Sequence, residues 1–409
     1  MTTTINNEHK KLNVPNLRFK EFQGEWSVTT LQKDCIVNPT NEKIADKFVY
    51  VDLESVKQGQ LYKYQILTKE NAPSRAQRVL HTDDILFQCV RPYQMNNYMV
   101  KGTMSDIQWV ASTGYAQIRT QTDYPAFLYY VLNTSKYNKA VMVRCTGSSY
   151  PAINSEDLSK IPFYKCGIAE QKKIADFLSL LDERIATQNK IIDKLQSLIK
   201  GMEDNLLDNP LWEKTYLRSF MQFFPTNSLS WEQLSYKEGA IRNLHYGLIH
   251  VFQTRGINSA SLPMIKNEAI PKQYTLCQVG DIAFADASED TGEIAKSVEF
   301  VDTIEDDTIC GLHTIHGRDI KNETVVGFKG FAFNSRYFHN QIKRLAQGTK
   351  VFSITANNLS SCYVYLPDLE TQKAIVKLLR SYEEQLIIGR LILKQYEKQK
   401  QYLLRQMFI

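Results

Sequence analysis

The stretch from Glu170 to Asp208 constrains the fold of this chain more than any other, because it holds no proline and a single glycine, Gly201. Apolar residues recur along it in alternating steps of four and three, which is the heptad of a coiled coil and not the stripe of a helix in one small domain. A continuous helix of this length would extend roughly 58 Å, at about 1.5 Å per residue. We therefore predict one long spacer helix over residues 168–208.

The same pattern returns at the C-terminus, where TQKAIVKLLRSYEEQL from Thr371 echoes EQKKIADFLSLLDERI from Glu170 at an offset of 201 residues. Residues 170–208 carry a net charge of −2 and residues 370–409 carry +4, so the two segments attract each other. We predict that a second long helix, over residues 368–409, pairs with the first. The predicted seam residues are Ile174, Leu178, Leu181, Ile185, Ile192, Leu195, Ile199, Ile375, Leu379, Tyr382, Leu386, Leu393, Tyr396 and Leu403.

Each helix follows a body with short β-rich runs and polar loops. In residues 1–167 we predict strands at VYVDLE, DDILFQCV and GYAQIRT and one helix at AFLYYVLNTSKYNKAVMVR; in residues 209–367 we predict strands at YGLIHVF, GDIAFADA and LHTIHG. The bodies share landmarks, so the fold class is α+β with a pseudo-two-fold internal repeat. The matched landmarks are Asp84-Ile85 with Asp281-Ile282, Gly114–Ile118 with Gly311–Ile315, and Trp26 and Leu31 with Trp231 and Leu234.

Composition narrows the class of protein. The 409 residues suffice for two or three domains, and seven scattered cysteines without a Cys-x-x-Cys pair predict a reduced, cytoplasmic protein. No apolar run reaches the roughly 18 residues of a membrane span, and the N-terminus lacks a signal-peptide core. A formal charge of +5 permits nucleic-acid binding but does not by itself indicate it.

Catalytic motifs are missing from the sequence. It contains neither a phosphate-binding Gly-x-x-x-x-Gly-Lys loop nor Gly-x-Gly-x-x-Gly, and Asn209–Trp212 lacks the second proline of an Asn-Pro-Pro-Tyr methyltransferase motif. Cys310, His313 and His316 have ligand character, but side chains alternate along a strand, so all three cannot converge. We predict no catalytic residue, no metal site and no bound cofactor in this chain.

The loops that follow the two Asp-Ile strands differ in composition, which predicts related scaffolds that bind different things. RPYQMNN from Arg91 stands in the first body where SEDTG from Ser288 stands in the second. Their polar side chains suit base edges and phosphates, although such loops are also ordinary surface. The candidate DNA-binding residues are Arg91, Tyr93, Gln94, Asn96, Asn97, Lys101, Ser148, Ser149, Arg242, Asn243, His245, Tyr246, Ser288, Asp290, His313, His316, Arg318, Thr349 and Lys350.

Two unlike α+β bodies that alternate with two matched long helices resemble the specificity (S) subunit of a Type I restriction-modification system. The most specific marks are the helix openings Glu170–Ile174 and Thr371–Ile375, each preceded by a glycine loop and a Leu-Ser pair. The family usually has proline shortly before the opening; Pro367 fits that pattern, whereas Cys166 departs from it. The resemblance covers nearly the whole chain.

This resemblance implies two target recognition domains, residues 1–167 and 209–367, that each read one half of a bipartite double-stranded DNA site. It also implies that the helices form an antiparallel coiled coil, which sets the gap and docks two methyltransferase subunits, with restriction subunits completing the complex. S-adenosylmethionine, ATP and Mg²⁺ would then bind partner subunits, and this chain would be non-catalytic. A stand-alone DNA-modifying enzyme and a coiled-coil scaffold for proteins only are the alternatives.

Overall fold

The computed structural model describes residues 13–40, 42–102, 107–252, 255–302 and 304–409. The chain divides into two compact units, one made of residues up to 188 together with 392–409 and the other of residues 189–391. Each unit therefore combines a body with part of both long helices, while the predicted division at 167, 208 and 367 separates bodies from helices. Among the described residues, no helix is both long and apolar enough to cross a membrane.

The first unit is built on two four-stranded sheets, ordered β6-β3-β10-β7 and β2-β11-β8-β9, and a separate β1-β12 pair. Its strands are β1 (Ser27–Thr30), β2 (Cys35–Val37), β3 (Lys47–Val51), β4 (Val56–Lys57), β5 (Gln60–Leu61), β6 (Gln65–Thr68), β7 (Ala76–Leu80), β8 (Ile85–Gln88), β9 (Tyr98–Met99), β10 (Gln108–Ser112), β11 (Tyr115–Thr120) and β12 (Pro162–Lys165). Its helices are α1 (Leu31–Asp34), α2 (Pro125–Leu132), α3 (Ser135–Met142), α4 (Ser155–Ser159) and the first part of α5 (Ile168–Leu207).

The predicted single helix of this body is two helices, α2 and α3. The chain breaks at Thr134, whose hydroxyl accepts a hydrogen bond from the backbone N–H of Tyr137 and so caps a new helix. Helix α2 is apolar almost throughout, and its residues Phe127 to Leu132 are all buried. It belongs to the same core as Ile174 and Leu178 of α5, so the body packs directly on the long helix.

The second unit has a five-stranded sheet, β14-β23-β19-β21-β17, a four-stranded sheet, β15-β18-β16-β22, and the pairs β13-β25 and β20-β24. Its strands are β13 (Glu213–Tyr216), β14 (Met221–Phe224), β15 (Leu234–Ser235), β16 (Ile241–Leu244), β17 (Gly256–Ile257), β18 (Met264–Ile265), β19 (Ile282–Ala285), β20 (Ala287–Ser288), β21 (Ser297–Phe300), β22 (Thr308–Cys310), β23 (Thr314–Asp319), β24 (Phe352–Ser353) and β25 (Tyr363–Leu366). Its helices are α6 (Leu217–Phe220), α7 (Tyr246–Val251), α8 (Phe328–Ala332), α9 (Arg336–Leu345), α10 (Ala356–Ser361) and part of α11 (Leu369–Gln406).

One predicted strand in this unit is a helix. YGLIHVF forms α7, which begins because the His245 ring nitrogen Nδ1 accepts a hydrogen bond from the backbone N–H of Gly247. Only Ile249 of this helix is fully buried, so its short apolar run does not alternate between two faces as a strand would.

Both bodies contain the same aspartate–arginine pair, which explains the matched Asp-Ile landmarks. Asp84 accepts two hydrogen bonds from the Arg119 guanidinium, at 2.8 and 2.9 Å, and Asp281 accepts two from Arg318, at 2.8 and 2.7 Å. Each buried carboxylate thus ties the start of one strand to its neighbour. The Arg318 guanidinium and the His316 ring keep the pKa of Asp281 below its usual range even though burial acts in the opposite direction.

The strand registers correct the predicted match of Gly114–Ile118 with Gly311–Ile315. Gln117 lies opposite Leu86 in the first body, and His316 lies opposite Ala283 in the second. Since Leu86 and Ala283 correspond through the Asp-Ile match, Gln117 corresponds to His316, two residues further along than predicted. Both side chains donate to the aspartate of their body, at 2.7 Å in each case.

The predicted match of Trp26 with Trp231 is also wrong. Ser27 pairs with Lys165 where β1 meets β12, and Glu213 pairs with Leu366 where β13 meets β25, so the counterpart of Trp26 is Trp212. Trp26 is buried in the first core and Trp212 packs against the second, whereas Trp231 is 45% exposed. The second body therefore begins directly after α5.

Helices α5 and α11 run antiparallel, as the contacts inside each unit show. In the first unit Lys400 Nζ lies 2.6 Å from an Asp182 carboxylate oxygen, near the start of α5 and the end of α11. In the second unit Glu203 and Glu383, near the end of α5 and in the first half of α11, both approach Arg255. Every residue of the predicted seam is buried or half-buried, and none is exposed.

The helix openings carry the most specific sequence mark because a buried glutamine anchors each helix to its body. The Gln372 side chain accepts from the Val325 N–H at 3.0 Å and donates to the carbonyl oxygens of Glu323 and Pro367. Gln171 likewise accepts from the Tyr124 N–H and donates to the carbonyl oxygen of Cys166. The departure from proline at Cys166 leaves this contact in place, because the carbonyl group is the acceptor.

We expect Gln372→Ala to destabilise the junction between the second body and α11 by about 2 kcal/mol, because three buried backbone groups lose their partner. Amide exchange at Val325 should then be roughly 30-fold faster, if local opening governs exchange there. The matched control is Gln385→Ala on the same helix, since Gln385 is exposed. Equal exchange at Val325 in both variants would contradict an anchoring role.

Candidate nucleic-acid interface

Two loops of the first body lie side by side; we call Arg91–Asn96 and Thr146–Pro151 the first loop pair. The first loop is exposed at Tyr93 and Gln94 and the second at residues 146–150. They are joined where Val90 bridges Ala152, and the Arg91 N–H donates to the Pro151 carbonyl oxygen at 2.7 Å. Arg91 has a positive φ of 54°, which turns the chain sharply out of β8. Residues about 60 positions apart in sequence thus form one surface.

The first loop pair presents a cation, an aromatic ring and small polar groups to solvent. The Arg91 guanidinium lies 4.3 Å from the centroid of the Tyr150 ring, which is 64% exposed. Tyr93, Gln94, Ser148 and Ser149 are exposed around this stack. Sequence analysis missed Tyr150, although its position next to the serines of the glycine loop was a usable signal. Such a stacked guanidinium suits phosphate or guanine contact.

Two further candidates lie at the margin of the first loop pair. The Asn96 side-chain oxygen accepts from the Gln58 N–H at 3.1 Å, so Asn96 is half-buried and partly committed to the fold. Lys101 is exposed and follows β9. Neither is brought into the Arg91–Tyr150 stack by any described contact.

The second body repeats this arrangement with other residues; we call Ala287–Gly292 and Gln347–Phe352 the second loop pair. Ala287 pairs with Ser353 and Ser288 with Phe352, at the place where Val90 bridges Ala152 in the first body. Ser288 and Asp290 therefore lie beside the loop that carries Thr349 and Lys350, all but Ser288 being exposed. Asp290 caps its own turn by accepting from the Gly292 N–H at 2.7 Å.

A group of aromatic and imidazole rings adjoins the second loop pair. The exposed His313 ring donates from Nδ1 to an Asp286 carboxylate oxygen at 3.0 Å and meets the Tyr246 ring edge-on at 5.3 Å. His245 lies between Tyr246 and the exposed Trp231, with ring centroids 4.7 and 4.5 Å away. Burial lowers the pKa of His245, so its ring is neutral near pH 7. Trp231 was noted in the sequence only as a landmark, and its exposed position beside these rings was not predicted.

Four predicted contact residues are buried and cannot reach DNA in this structure. Asn97 accepts from the Gln88 N–H and donates to Asn133, Asn243 accepts from Asn227, and His316 bonds to Asp281. His245 is the fourth of these residues, and none of the four is more than 3% exposed. Their hydrogen bonds hold strands and loops together, and turning these side chains toward DNA would break those bonds. These predictions are therefore corrected to structural roles.

Two predicted arginines are already paired within the fold. Arg242 donates to Asp306 at 2.9 Å and to the Leu262 carbonyl oxygen at 2.7 Å. Arg318 donates to both oxygens of Asp281 and to the Leu276 carbonyl oxygen. Because a guanidinium held by this many acceptors has few donors left for a phosphate, both residues support the fold instead of forming the exposed surface.

The predicted non-convergence of Cys310, His313 and His316 is confirmed, since His313 faces Asp286. Cys310 and His316, however, do approach each other together with Cys277, and this is the one group of three possible metal ligands found among the described residues. Cys277 lies 33 residues before Cys310, a spacing that no short motif would reveal.

Comparison with known proteins adds independent information. The sequence matches the family described as "Type I restriction modification DNA specificity domain" over residues 36–197 and 262–397. It is 24% identical to the putative type I restriction enzyme MjaX specificity subunit of Methanocaldococcus jannaschii, covering 96% of this chain and 95% of that protein. It is 27% identical to the MjaVIII specificity subunit of the same organism, covering 62% of this chain and 63% of that protein.

Solved structures show the same fold. The Type I restriction-modification S subunit from M. genitalium superposes with a TM-score of 0.58 at 15% identity, covering 97% of this chain and 99% of that chain. A chain solved in a study of complex assembly and conformational transition of the type I R-M system gives a TM-score of 0.54 at 18% identity, covering 93% and 96%.

Proposed function

This chain belongs to the Type I restriction-modification DNA specificity family, and on that premise we propose that each of its bodies reads one half of a bipartite duplex DNA target. The observation that supports this most directly is the repeated loop pair. One scaffold position in each body carries exposed polar loops, with unlike side chains in the two copies. Scaffolds that are alike and loops that differ suit two readers of different half-sites.

The chemistry of the two loop pairs supports different base preferences. The first loop pair has Arg91 and no carboxylate, which favours guanine edges and phosphates. The second has Asp290 and Glu289 beside Lys350, and a carboxylate accepts from the cytosine amino group. We assign methyl transfer and cleavage, with S-adenosylmethionine, ATP and Mg²⁺, to partner subunits.

The experiment that tests this function maps methylated adenines in the genome of a host that carries the chain with its methyltransferase subunit. We expect a motif with two short specific halves and an unspecified gap, and we expect no methylation when either protein is omitted. Methyl transfer by this chain alone would favour a stand-alone enzyme. Binding of the assembled complex to DNA without sequence preference, tested over a range of salt concentrations, would favour a protein-only scaffold.

We further propose that methyltransferase subunits dock on the outer faces of α5 and α11. Apolar side chains outside the seam are exposed there, including Phe177 and Leu180 in the first unit and Leu378, Ile388 and Leu391 in the second. Exposed apolar residues grouped on a helix surface are typical of a surface that a partner covers.

Leu180→Asp combined with Leu391→Asp should therefore lower the yield of co-purified methyltransferase subunit at least about tenfold, since a charge buried at an interface costs more than its lost apolar contact. Leu211→Asp is the matched control, because Leu211 is 91% exposed and lies beyond the end of α5. Normal complex formation by the double variant would place the docking surface on the bodies instead.

A further inference from the structure

A buried cluster in the second body combines two thiols and an imidazole. The sulfur atoms of Cys277 and Cys310 and a ring nitrogen of His316 all lie within 4.8 Å of one another. The three residues are 6%, 3% and 1% exposed. The two sulfur atoms are 3.6 Å apart, far beyond the roughly 2.05 Å of a disulfide bond. Two thiolates on one tetrahedral zinc ion, each about 2.3 Å from it, would lie about 3.8 Å apart.

The hydrogen bonding of His316 leaves one of its two ring nitrogen atoms available to a metal ion. One ring nitrogen, Nε2, bonds to Asp281 at 2.7 Å, and the carboxylate can only accept, so Nε2 carries the proton. The other nitrogen, Nδ1, then exposes a lone pair, yet it is buried without a hydrogen-bond partner. A buried acceptor without a donor is costly, and a carboxylate that fixes the far side of a ligating histidine is the usual outer arrangement of a zinc site.

From this geometry we propose that Cys277, Cys310 and His316 bind a zinc ion in the second body. Two thiolates and a neutral imidazole balance the charge of Zn²⁺, which makes the site compatible with an apolar core that includes Leu244 and Ala283. Each thiol loses its proton when the ion binds, so binding releases two protons and weakens as the pH falls. The ion would tie the segment before β19 to β22 and β23.

The site is confined to one copy of the repeat. In the second body Leu276 bridges Ile309, and at the same place in the first body Val79 pairs with Val110. The residues that follow these positions therefore correspond to each other. Leu80 occupies the position of Cys277, and Ala111 occupies the position of Cys310. Gln117 occupies the position of His316 and bonds to Asp84 as His316 bonds to Asp281. The first body thus builds the same corner from an apolar pair and an amide, and it supplies a substitute for each proposed ligand that this fold tolerates.

The test measures zinc bound to the purified full chain by mass spectrometry after desalting. We expect about one zinc ion per wild-type chain, and less than about a tenth of that for Cys277→Leu, Cys310→Ala and His316→Gln, each of which removes a ligand. Cys362→Ala is the matched control, because Cys362 is a buried free cysteine of the same unit outside the cluster. It should retain the full zinc content.

Cobalt substitution of the wild-type chain provides a measurement that does not depend on variants folding. Co²⁺ added after zinc removal should produce thiolate-to-cobalt charge-transfer bands. A wild-type chain that retains no zinc and shows no such bands would overturn the proposal. So would a disulfide between Cys277 and Cys310 recovered from the unfolded, unreduced chain, because the two sulfur atoms would then be bonded to each other and not to an ion.

Discussion

Replacing residues 31–161 with the corresponding segment of another specificity subunit is expected to change one half of the methylated target and to leave the other half intact. Each loop pair is formed entirely by residues of its own body, through the Val90–Ala152 bridge in the first and the Ala287–Ser353 pairing in the second. An exchange in the first body therefore cannot alter the surface of the second. Methylation at the original half-site should fall at least about 100-fold, since each mismatched base pair costs about 1–3 kcal/mol.

The structure places the ends of this exchange. Strands β1 and β12 both lie outside the exchanged segment, so the strands that close the body next to α5 are retained. The donor segment must supply a backbone N–H for Gln171, which is the role of Tyr124 in this chain. The reciprocal exchange over residues 217–361 is the matched control, and it should change only the other half-site. If either exchange altered both halves of the motif, the bodies would not be independent readers.

The second large effect concerns the gap between the half-sites. Inserting four helical residues after Gln188 and four after Leu391 should lengthen both helices by about 6 Å, at about 1.5 Å per residue. Gln188 is the last residue of α5 in the first unit, and Leu391 is the last residue of α11 in the second unit. With DNA rising about 3.4 Å per base pair, the unspecified gap should grow by about two base pairs. Both half-site sequences should stay the same.

A seven-residue insertion at the same two places tests the same relation between helix length and the gap. It adds a whole heptad, keeps the seam in phase and should lengthen the gap by about three base pairs. Insertion into α5 alone is the control, since it shifts the seam of one helix against the other and should reduce the yield of active complex. Genome-wide mapping of methylated adenines reads the gap directly. A gap that stays unchanged with full activity would show that coil length does not set the spacing.

The long helices and the internal repeat could be predicted from the sequence because their signals are local and periodic. Helical neighbours lie three and four residues apart, so a seam such as Ile174, Leu178 and Leu181 is written in the order of residues. The helix openings were equally visible, because a Gln-Lys pair recurs at Gln171 and Gln372. Each of these glutamines accepts a hydrogen bond from a backbone N–H of its own body. These features are sufficient to indicate the family.

The residue-by-residue match between the two copies of the repeat could not be determined from the sequence. Side chains along a strand alternate with a period of two, so a shift of two residues returns every side chain to the same face. Matching Gly114–Ile118 with Gly311–Ile315 or two positions further therefore fits the hydrophobic pattern equally well. Only the hydrogen-bonded pairing of His316 with Ala283 showed which match is correct.

The candidate site residues also fall into two groups, those whose exposure could be predicted from the sequence and those whose burial could not. Exposed loop residues such as Tyr93 and Lys350 were predictable as surface, because glycine and polar neighbours mark turns. Asn97, Asn243 and His316 have the same polar chemistry, but tertiary contacts bury them and use their hydrogen bonds inside the fold. Sequence alone thus determined the helices, the repeat and the place of the variable loops. The tertiary structure decided which polar groups face solvent, and it brought Cys277 to Cys310 and His316, because convergence of distant segments depends on strand pairing and not on spacing along the chain.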